Sequence, residues 1–310
     1  MNLIVGGTGF VGGHLAEYFF EQGEISKAIF RKGAQIRILD QCGVQNYEGD
    51  LLQRGRLHEP LEGVETVYNL ASETPGIEGD TDFMSVNTEG LRNLLEEAKE
   101  HGIKTIAHLS TVDIYGFRRR AIDESSEPNP GHPYQKAKLE AEKILQAFGS
   151  SNPEIKIRVV RAARAVGSRD RTLTLPLLEM VEGGEVLLPK GWMEKISFSH
   201  PKDISQALHK AATVESSSAF YLVKSFDASM AELADMIAKS CEKHATIKQE
   251  GVFRRSPFPR YTTEQIRGGL LLKEQESWKR IGYAPSYDAM RVSLDVAEWY
   301  RKEPWITRES

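Results

Sequence analysis

Tyr134 and Lys138 stand four residues apart in Pro133-Tyr134-Gln135-Lys136-Ala137-Lys138, where a helical pattern begins that runs to about Phe148. Residues at that spacing share one face of a helix. An ammonium beside a phenol favours phenolate and lowers the tyrosine pKa from its usual ~10. Tyr134 is then a general acid/base near neutral pH; an ordinary surface pair is the alternative. A second chemical stretch is Gly6-Gly7-Thr8-Gly9-Phe10-Val11-Gly12, between the apolar run Leu3-Ile4-Val5 and a helical pattern carrying Leu15, Ala16, Phe19 and Phe20. Strand, glycine turn and helix start, in that order, hold a dinucleotide pyrophosphate. The glycines permit a sharp turn and close approach, and the helix N-terminus offers unpaired N–H groups. A third candidate is Ser110-Thr111, at the end of the apolar run Thr105–Leu109.

The elements that must position these groups alternate. Strands are expected at Leu3–Val5, Lys27–Phe30, Gln45–Tyr47, Thr66–Leu70, Thr105–Leu109, Ile157–Val160 and Ala219–Val223. Helices are expected at Val11–Gln22, Phe83–Glu100, Tyr134–Phe148, Leu175–Val181, Pro201–Ala212, Met230–Lys239, Lys273–Ile281 and Ala289–Arg301. Such alternation predicts an α/β fold with a parallel, doubly wound sheet, whose ligands sit at the carboxyl ends of the strands. Gly6–Gly9, Arg31, Asp50, Ala71-Ser72 and Ser110-Thr111 fall at those ends. The second strand ends in Arg31-Lys32, where an acidic residue would favour NAD and a basic one accommodates the 2′-phosphate of NADP. Asp40 lies too far along to serve. The reading is NADP before NAD; solvated side chains are the other reading of Arg31 and Lys32.

Among 310 residues, 40 are Lys or Arg and 44 Asp or Glu, a net charge of −4 that gives no reason to expect nucleic acid. No apolar run approaches the ~20 residues of a membrane span. The fold reads as beginning at Asn2, so no leader is expected. Cys42 and Cys241 read as free thiols of a cytoplasmic protein. The eight histidines show no metal-ligand spacing, and no metal site is expected.

Gly6/Gly9/Gly12, Asp50-Leu51, Leu70-Ala71, Val86-Asn87-x-x-Gly90, Ser110-Thr111…Tyr115-Gly116 and Tyr134-x-x-x-Lys138 together resemble an extended short-chain dehydrogenase/reductase of the NAD(P)-dependent epimerase/dehydratase superfamily, which includes 3β-hydroxysteroid dehydrogenase and dihydroflavonol reductase types. The resemblance covers nearly the whole chain. It implies a Rossmann-type dinucleotide-binding domain (1–163 and 197–223) with a small, discontinuous substrate lobe (164–196 and 224–310). It implies Tyr134 as proton donor and acceptor, Lys138 on the nicotinamide ribose, Thr111 on the reacting oxygen with Ser110 its nearest competitor, and Asn87 as support, a local helix cap being the alternative for Asn87. The implied cofactor set is Gly6, Thr8, Gly9, Phe10, Val11, Gly12, Arg31, Lys32, Asp50, Leu51, Leu70, Ala71, Ser72, Ser110, Tyr134, Lys138 and Arg161. A homodimer pairing helices Phe83–Glu100 and Tyr134–Phe148 is also implied.

The chain departs from sugar-modifying relatives after its sixth strand, in Arg161-Ala162-Ala163-Arg164-Ala165-Val166-Gly167. Ala162 replaces a proline, and Arg164 stands where an asparagine usually contacts a nucleotide-sugar. An arginine there suits a phosphate or carboxylate, so the small-molecule substrate is expected to be anionic. Arg169, Arg171 and the run Arg118-Arg119-Arg120 lie on loops near the same mouth; for the run, a solvated loop is preferred. His200 reads as structural. Asp113, two residues past Thr111, reads as facing away. The balance favours a reductase or dehydrogenase, with a nucleotide-sugar epimerase or dehydratase and a non-catalytic NAD(P)-binding regulator as alternatives.

Overall fold

The computed structural model describes residues 1–76, 82–118, 120–215, 219–250, 257–273 and 276–302. Its central sheet has seven strands in the order Phe220–Val223, Lys156–Ala162, Thr105–Thr111, Thr66–Asn69, Asn2–Val5, Ser26–Phe30 and Gln45–Glu48. Every neighbouring pair is parallel. From strand Asn2–Val5 the chain first builds outward to one side, then crosses to the central strand Thr66–Asn69 on the other. The carboxyl ends of these two neighbours flank the point where strand order reverses, where open α/β sheets take their ligands.

Alternation along the strands divides the core. Ile4, Ala28, Tyr68, Ala107 and Val160 face one side with Leu15 and Phe19 of helix Phe10–Glu21 and Ile204 and Leu208 of helix Pro201–Thr213. Leu3, Val5, Val67, Ile106 and Val159 face the other with Leu91, Leu94, Leu95, Ala141 and Leu145. A sheet covered on both faces accounts for its near-continuous apolar strands.

A separate core gathers Val166, Leu177, Leu188, Trp192, Phe198, Met230, Leu233, Val292 and Val296. It surrounds small sheets that pair Glu185–Pro189 with Thr246–Glu250, and Ile196–Ser199 with Arg164–Ala165 and Phe226–Ala228. Ile196 and Phe198 pack in this core, and the chain re-enters the first core with helix Pro201–Thr213.

Three local expectations are corrected. The strand expected to stop at Leu109 runs to Thr111, so Ser110 and Thr111 are strand residues held against Arg161 and Ala162. The loop expected to carry Arg118-Arg119-Arg120 passes at Arg120 into a strand, Arg120–Ile122, paired in parallel with Leu270–Leu272. The helix expected over Phe83–Glu100 holds a π-helical segment, Ser85–Gly90, before the regular Leu91–Glu100. There Asn87 Nδ2 donates to the Phe83 carbonyl at 2.8 Å and Thr88 Oγ1 to the Met84 carbonyl at 2.7 Å. Arg119 of the triple-arginine run and Glu274–Gln275 of the expected helix Lys273–Ile281 lie outside the described residues, and the helix is seen over Glu276–Ile281. Among the described residues, no helix is long and apolar enough to cross a membrane.

Candidate active site

The glycine turn opens a cleft at the carboxyl edge of the sheet. Gly6 has φ +89°, and a Cβ there would meet the Ala71 backbone nitrogen at 2.7 Å. A Cβ on Gly12 would stand 2.1 Å from the Gly6 carbonyl oxygen. Glycine is therefore demanded at both positions. Helix Phe10–Glu21 starts from Gly9 with no side-chain cap, which leaves its first amides for a ligand.

Two adjoining cavities share Gly6, Thr8, Gly9, Leu70 and Ser72 in their walls. The smaller, about 150 Å³, is also lined by Arg31, Asp50, Leu51 and Ala71, all expected there, and by Glu73, which was not. Arg31 Nη1 donates to Glu73 Oε1 at 2.7 Å on its rim. Lys32 does not line it. The larger, about 790 Å³, takes in Phe10, Val11, Gly12, Ser110, Thr111, Tyr134, Lys138 and Arg164.

Tyr134 owes its position to a well-capped helix start. His132 Nδ1 accepts from the Tyr134 amide at 3.1 Å, Gln135 Oε1 accepts from the His132 amide at 3.0 Å, and Pro133 occupies the first turn of helix Pro133–Ser151. The expected lowering of its pKa is corrected. Burial pushes the phenol up, the Asp113 carboxylate pushes it further, and Arg164 and a hydrogen bond with Ser72 oppose. Lys138 shares the cleft but turns its Nζ to the sheet, donating to the Leu109 carbonyl at 2.8 Å and approaching His108 Nε2 at 3.3 Å. The i, i+4 spacing put both side chains on one face; strand Thr105–Thr111 decides where the ammonium points.

Burial, partly offset by Glu142, lowers Lys138 from 10.5 to about 8. Between those pH values the unfolded chain binds the proton that the folded chain has released, so this group's contribution makes stability rise with pH. Denaturant midpoints of the wild type should therefore gain on those of Lys138→Met from pH 8 to pH 10. Parallel curves would exclude a buried amine at this site.

Asp113 faces the cleft, against expectation. It is buried, its Oδ2 accepts from Tyr261 Oη at 2.8 Å and Gln265 Nε2 at 2.7 Å, and burial raises its carboxyl above the usual range. Thr111 Oγ1 accepts from the Asp113 amide at 3.1 Å. Tyr261 and Gln265 belong to helix Arg260–Arg267, which local pattern did not reveal; Pro257 and Pro259 ahead of it were the available signal. The Tyr261 ring crosses those of Tyr134 (5.5 Å), His132 (4.6 Å) and Phe117 (5.1 Å), forming an aromatic wall.

Arg164 lines the cleft while its Nη2 donates to Thr172 Oγ1 at 2.7 Å and Asp170 Oδ2 at 3.1 Å. Its Nε is buried with no hydrogen-bond partner among the described residues. Arg169 lines it too, with φ +72° and a two-pronged ion pair to Glu17. Arg171 is exposed at the mouth.

Two expected site residues, Arg161 and Asn87, stand outside the cleft, and a third, Ser110, turns its hydroxyl away from it. Arg161 donates to both Glu142 oxygens, at 2.6–3.2 Å, and to Tyr115 Oη at 2.7 Å, so its guanidinium belongs to a buried ion pair behind the cleft. Ser110 lines the cleft, but its hydroxyl donates to Glu142 Oε1 at 2.5 Å. Asn87 is buried outside the cleft and accepts from Ser72 Oγ at 2.8 Å, so it reaches the Tyr134 phenol only through Ser72. His200 is fully buried: its Nδ1 caps helix Pro201–Thr213, and its ring stacks on Tyr287 at 3.6 Å.

Residues 2–221 match the model of the NAD dependent epimerase/dehydratase family. The chain is 28% identical over 188 residues to the N-acetyl-alpha-D-glucosaminyl-diphospho-ditrans,octacis-undecaprenol 4-epimerase of Escherichia coli O157:H7, covering 60% of this chain and 55% of that one. It is 27% identical over 191 residues to the decarboxylating sterol-4-alpha-carboxylate 3-dehydrogenase of Homo sapiens, covering 59% of this chain and 49% of that one. The match thus spans about half the length of each of these curated relatives. The crystal structure of UDP-glucose 4-epimerase from Bifidobacterium longum in complex with NAD+ and UDP superposes with a TM-score of 0.81 at 17% identity, over 98% of either chain. At that identity it shows the fold.

Proposed function

The chain belongs to the NAD dependent epimerase/dehydratase family, a family of NAD(P)-dependent enzymes, and from that premise we propose that it is an oxidoreductase moving a hydride between nicotinamide and a hydroxyl or carbonyl carbon of a small, oxygen-bearing substrate. One observation carries the reading: the Tyr134 phenol and the glycine turn open onto one continuous cleft at the reversal of strand order. The turn, in which a Cβ on Gly12 would meet backbone, suits a pyrophosphate, and Asp50, Leu51 and Ala71 suit the adenosine end.

The bound nicotinamide supplies the hydride acceptor or donor. Tyr134 gives or takes the proton at the substrate oxygen. Its raised pKa keeps the phenol protonated at neutral pH, the form that donates during carbonyl reduction. Lys138 holds the nicotinamide ribose, Thr111 orients the reacting oxygen, and Ser72, braced by Asn87, orients the phenol. Arg164 and Arg171 favour a substrate with an anionic or oxygen-rich end. The buried Asp113 beside Thr111 favours a second reading, in which a further acid/base group serves an epimerase or dehydratase path. The subunits pair through the helices carrying Leu91–Glu100 and Pro133–Ser151, and the protein works in the cytoplasm.

NADP is the preferred cofactor, its 2′-phosphate meeting Arg31 on the rim. In calorimetric titrations the wild type should bind NADP⁺ more tightly than NAD⁺. Arg31→Asp should cost NADP⁺ roughly 10- to 100-fold, the worth of a hydrogen bond to a charged group, and spare NAD⁺. Equal affinities unmoved by the substitution would remove Arg31 from the cofactor and bring the epimerase reading forward.

A further inference from the structure

Away from the cleft, the fold joins three side chains whose sequence spacing shows no metal signature. His58 opens the short helix His58–Leu61, while Glu97 and His101 lie one turn apart at the end of helix Leu91–Glu100. One ligand atom from each of the three lies within 4.8 Å of the others. None of them lines either cavity of the candidate active site.

Glu97 and His101 are prepared as ligands. Their side chains are 8% and 10% exposed. Glu97 spends Oε1 on Arg54 Nε at 2.8 Å, whereas its buried Oε2 has no hydrogen-bond partner among the described residues and lies 3.8 Å from His101 Nδ1. His101 Nδ1 donates to the Glu97 carbonyl at 2.8 Å. That bond puts the free lone pair on Nε2, which is also buried without a partner. A backbone carbonyl fixing the tautomer is the usual support of a metal-binding imidazole. The His58 ring crosses that of His101 at 4.4 Å and 65°.

Charge points the same way. Arg54 faces the carboxylates of Glu96, Glu97 and Glu100, one cation against three anions. Glu62 adds another at 4.0 Å from His58 Nε2. The carbonyl end of helix Leu91–Glu100 lies at the same spot and also favours a cation. Two imidazoles and one carboxylate suit zinc or nickel and not the hard cations magnesium or calcium.

We infer that His58, Glu97 and His101 form a binding site for a divalent transition-metal ion of the zinc and nickel class. Metal–ligand bonds of about 2.0–2.2 Å draw the three donors closer than they stand, and His58, 67% exposed, is free to make that move. The ion leaves room for water and fastens helix His58–Leu61 to the end of helix Leu91–Glu100.

The test titrates the chelator-treated full chain with Zn²⁺ by calorimetry and with Co²⁺ by visible absorption. One ion per chain is expected, with His58→Gln and His101→Gln each weakening it at least about tenfold, and with NADP⁺ affinity unchanged in both. Circular dichroism confirms that each variant is folded; should His101→Gln fail to fold, the exposed His58→Gln carries the comparison. Zn²⁺ affinity equal in wild type and His58→Gln, no saturable binding, or competition by Mg²⁺ at similar concentration would each overturn the site.

Discussion

Tyr134→Phe is expected to lower turnover by roughly 10²–10⁴-fold, the usual worth of a positioned acid/base group. Stability and NAD(P) affinity should change little. The phenyl ring keeps the volume of the aromatic wall and its crossings with Phe83 and Tyr261. The main-chain bond that seats the residue, His132 Nδ1 to the Tyr134 amide, does not involve the hydroxyl. Only the hydrogen bond with Ser72 and the proton itself are lost. A substrate supporting NAD(P)H formation or consumption by the wild type would be assayed alongside cofactor titration of both proteins. Loss of turnover with retained binding assigns the proton to Tyr134. Equal turnover would move the acid/base role elsewhere, with Asp113 the next group in the cleft. A biological role that survives in the inactive variant would restore the reading as a dinucleotide-binding regulator.

Arg161→Met is expected to destabilise the fold by about 3–5 kcal/mol, the cost of leaving a buried charge without its partner. Glu142 is 3% exposed, and Arg161 supplies three of its hydrogen bonds. Ser110 donates to the same carboxylate, so one bond remains. The double variant Arg161→Met/Glu142→Leu should recover much of the loss, because it removes the charge together with its counterion. Urea unfolding of the two variants and the wild type measures this directly. A single-variant loss below about 1 kcal/mol, the range of an exposed pair, would show that water reaches the Glu142 carboxylate. Cofactor affinity of the folded single variant should match the wild type, since Arg161 stands behind the cleft.

What was legible in the sequence was local. The glycine turn could be read because strand, turn and helix follow one another within a dozen residues. Tyr134 could be read because Lys138 follows it four residues later in a helical pattern that opens after Pro133. Arg31, Asp50, Ala71 and Thr111 could be placed because ligands of a doubly wound sheet gather at strand ends, and Leu51 through the family resemblance alone.

What stayed hidden depends on contacts between distant segments. Asp113 is held by Tyr261 and Gln265, about 150 residues further along. Arg161 looked available because its partner Glu142 sits on a different element, the middle of helix Pro133–Ser151. The direction of the Lys138 ammonium is set by the Leu109 carbonyl on the neighbouring strand, and periodicity does not encode that. The π-helical segment around Asn87 is likewise a matter of backbone bonds that residue types leave open.

The most direct test of the central claim, that this cleft holds NAD(P) with its nicotinamide at Tyr134, is the emission of NADPH titrated with the purified chain. A saturable rise at one cofactor per chain, reversed by excess NADP⁺, is the predicted result: the nicotinamide leaves water for the aromatic wall. No saturable change up to millimolar concentrations of either NADPH or NADH would contradict the account, because Tyr134 would then have no hydride chemistry to serve.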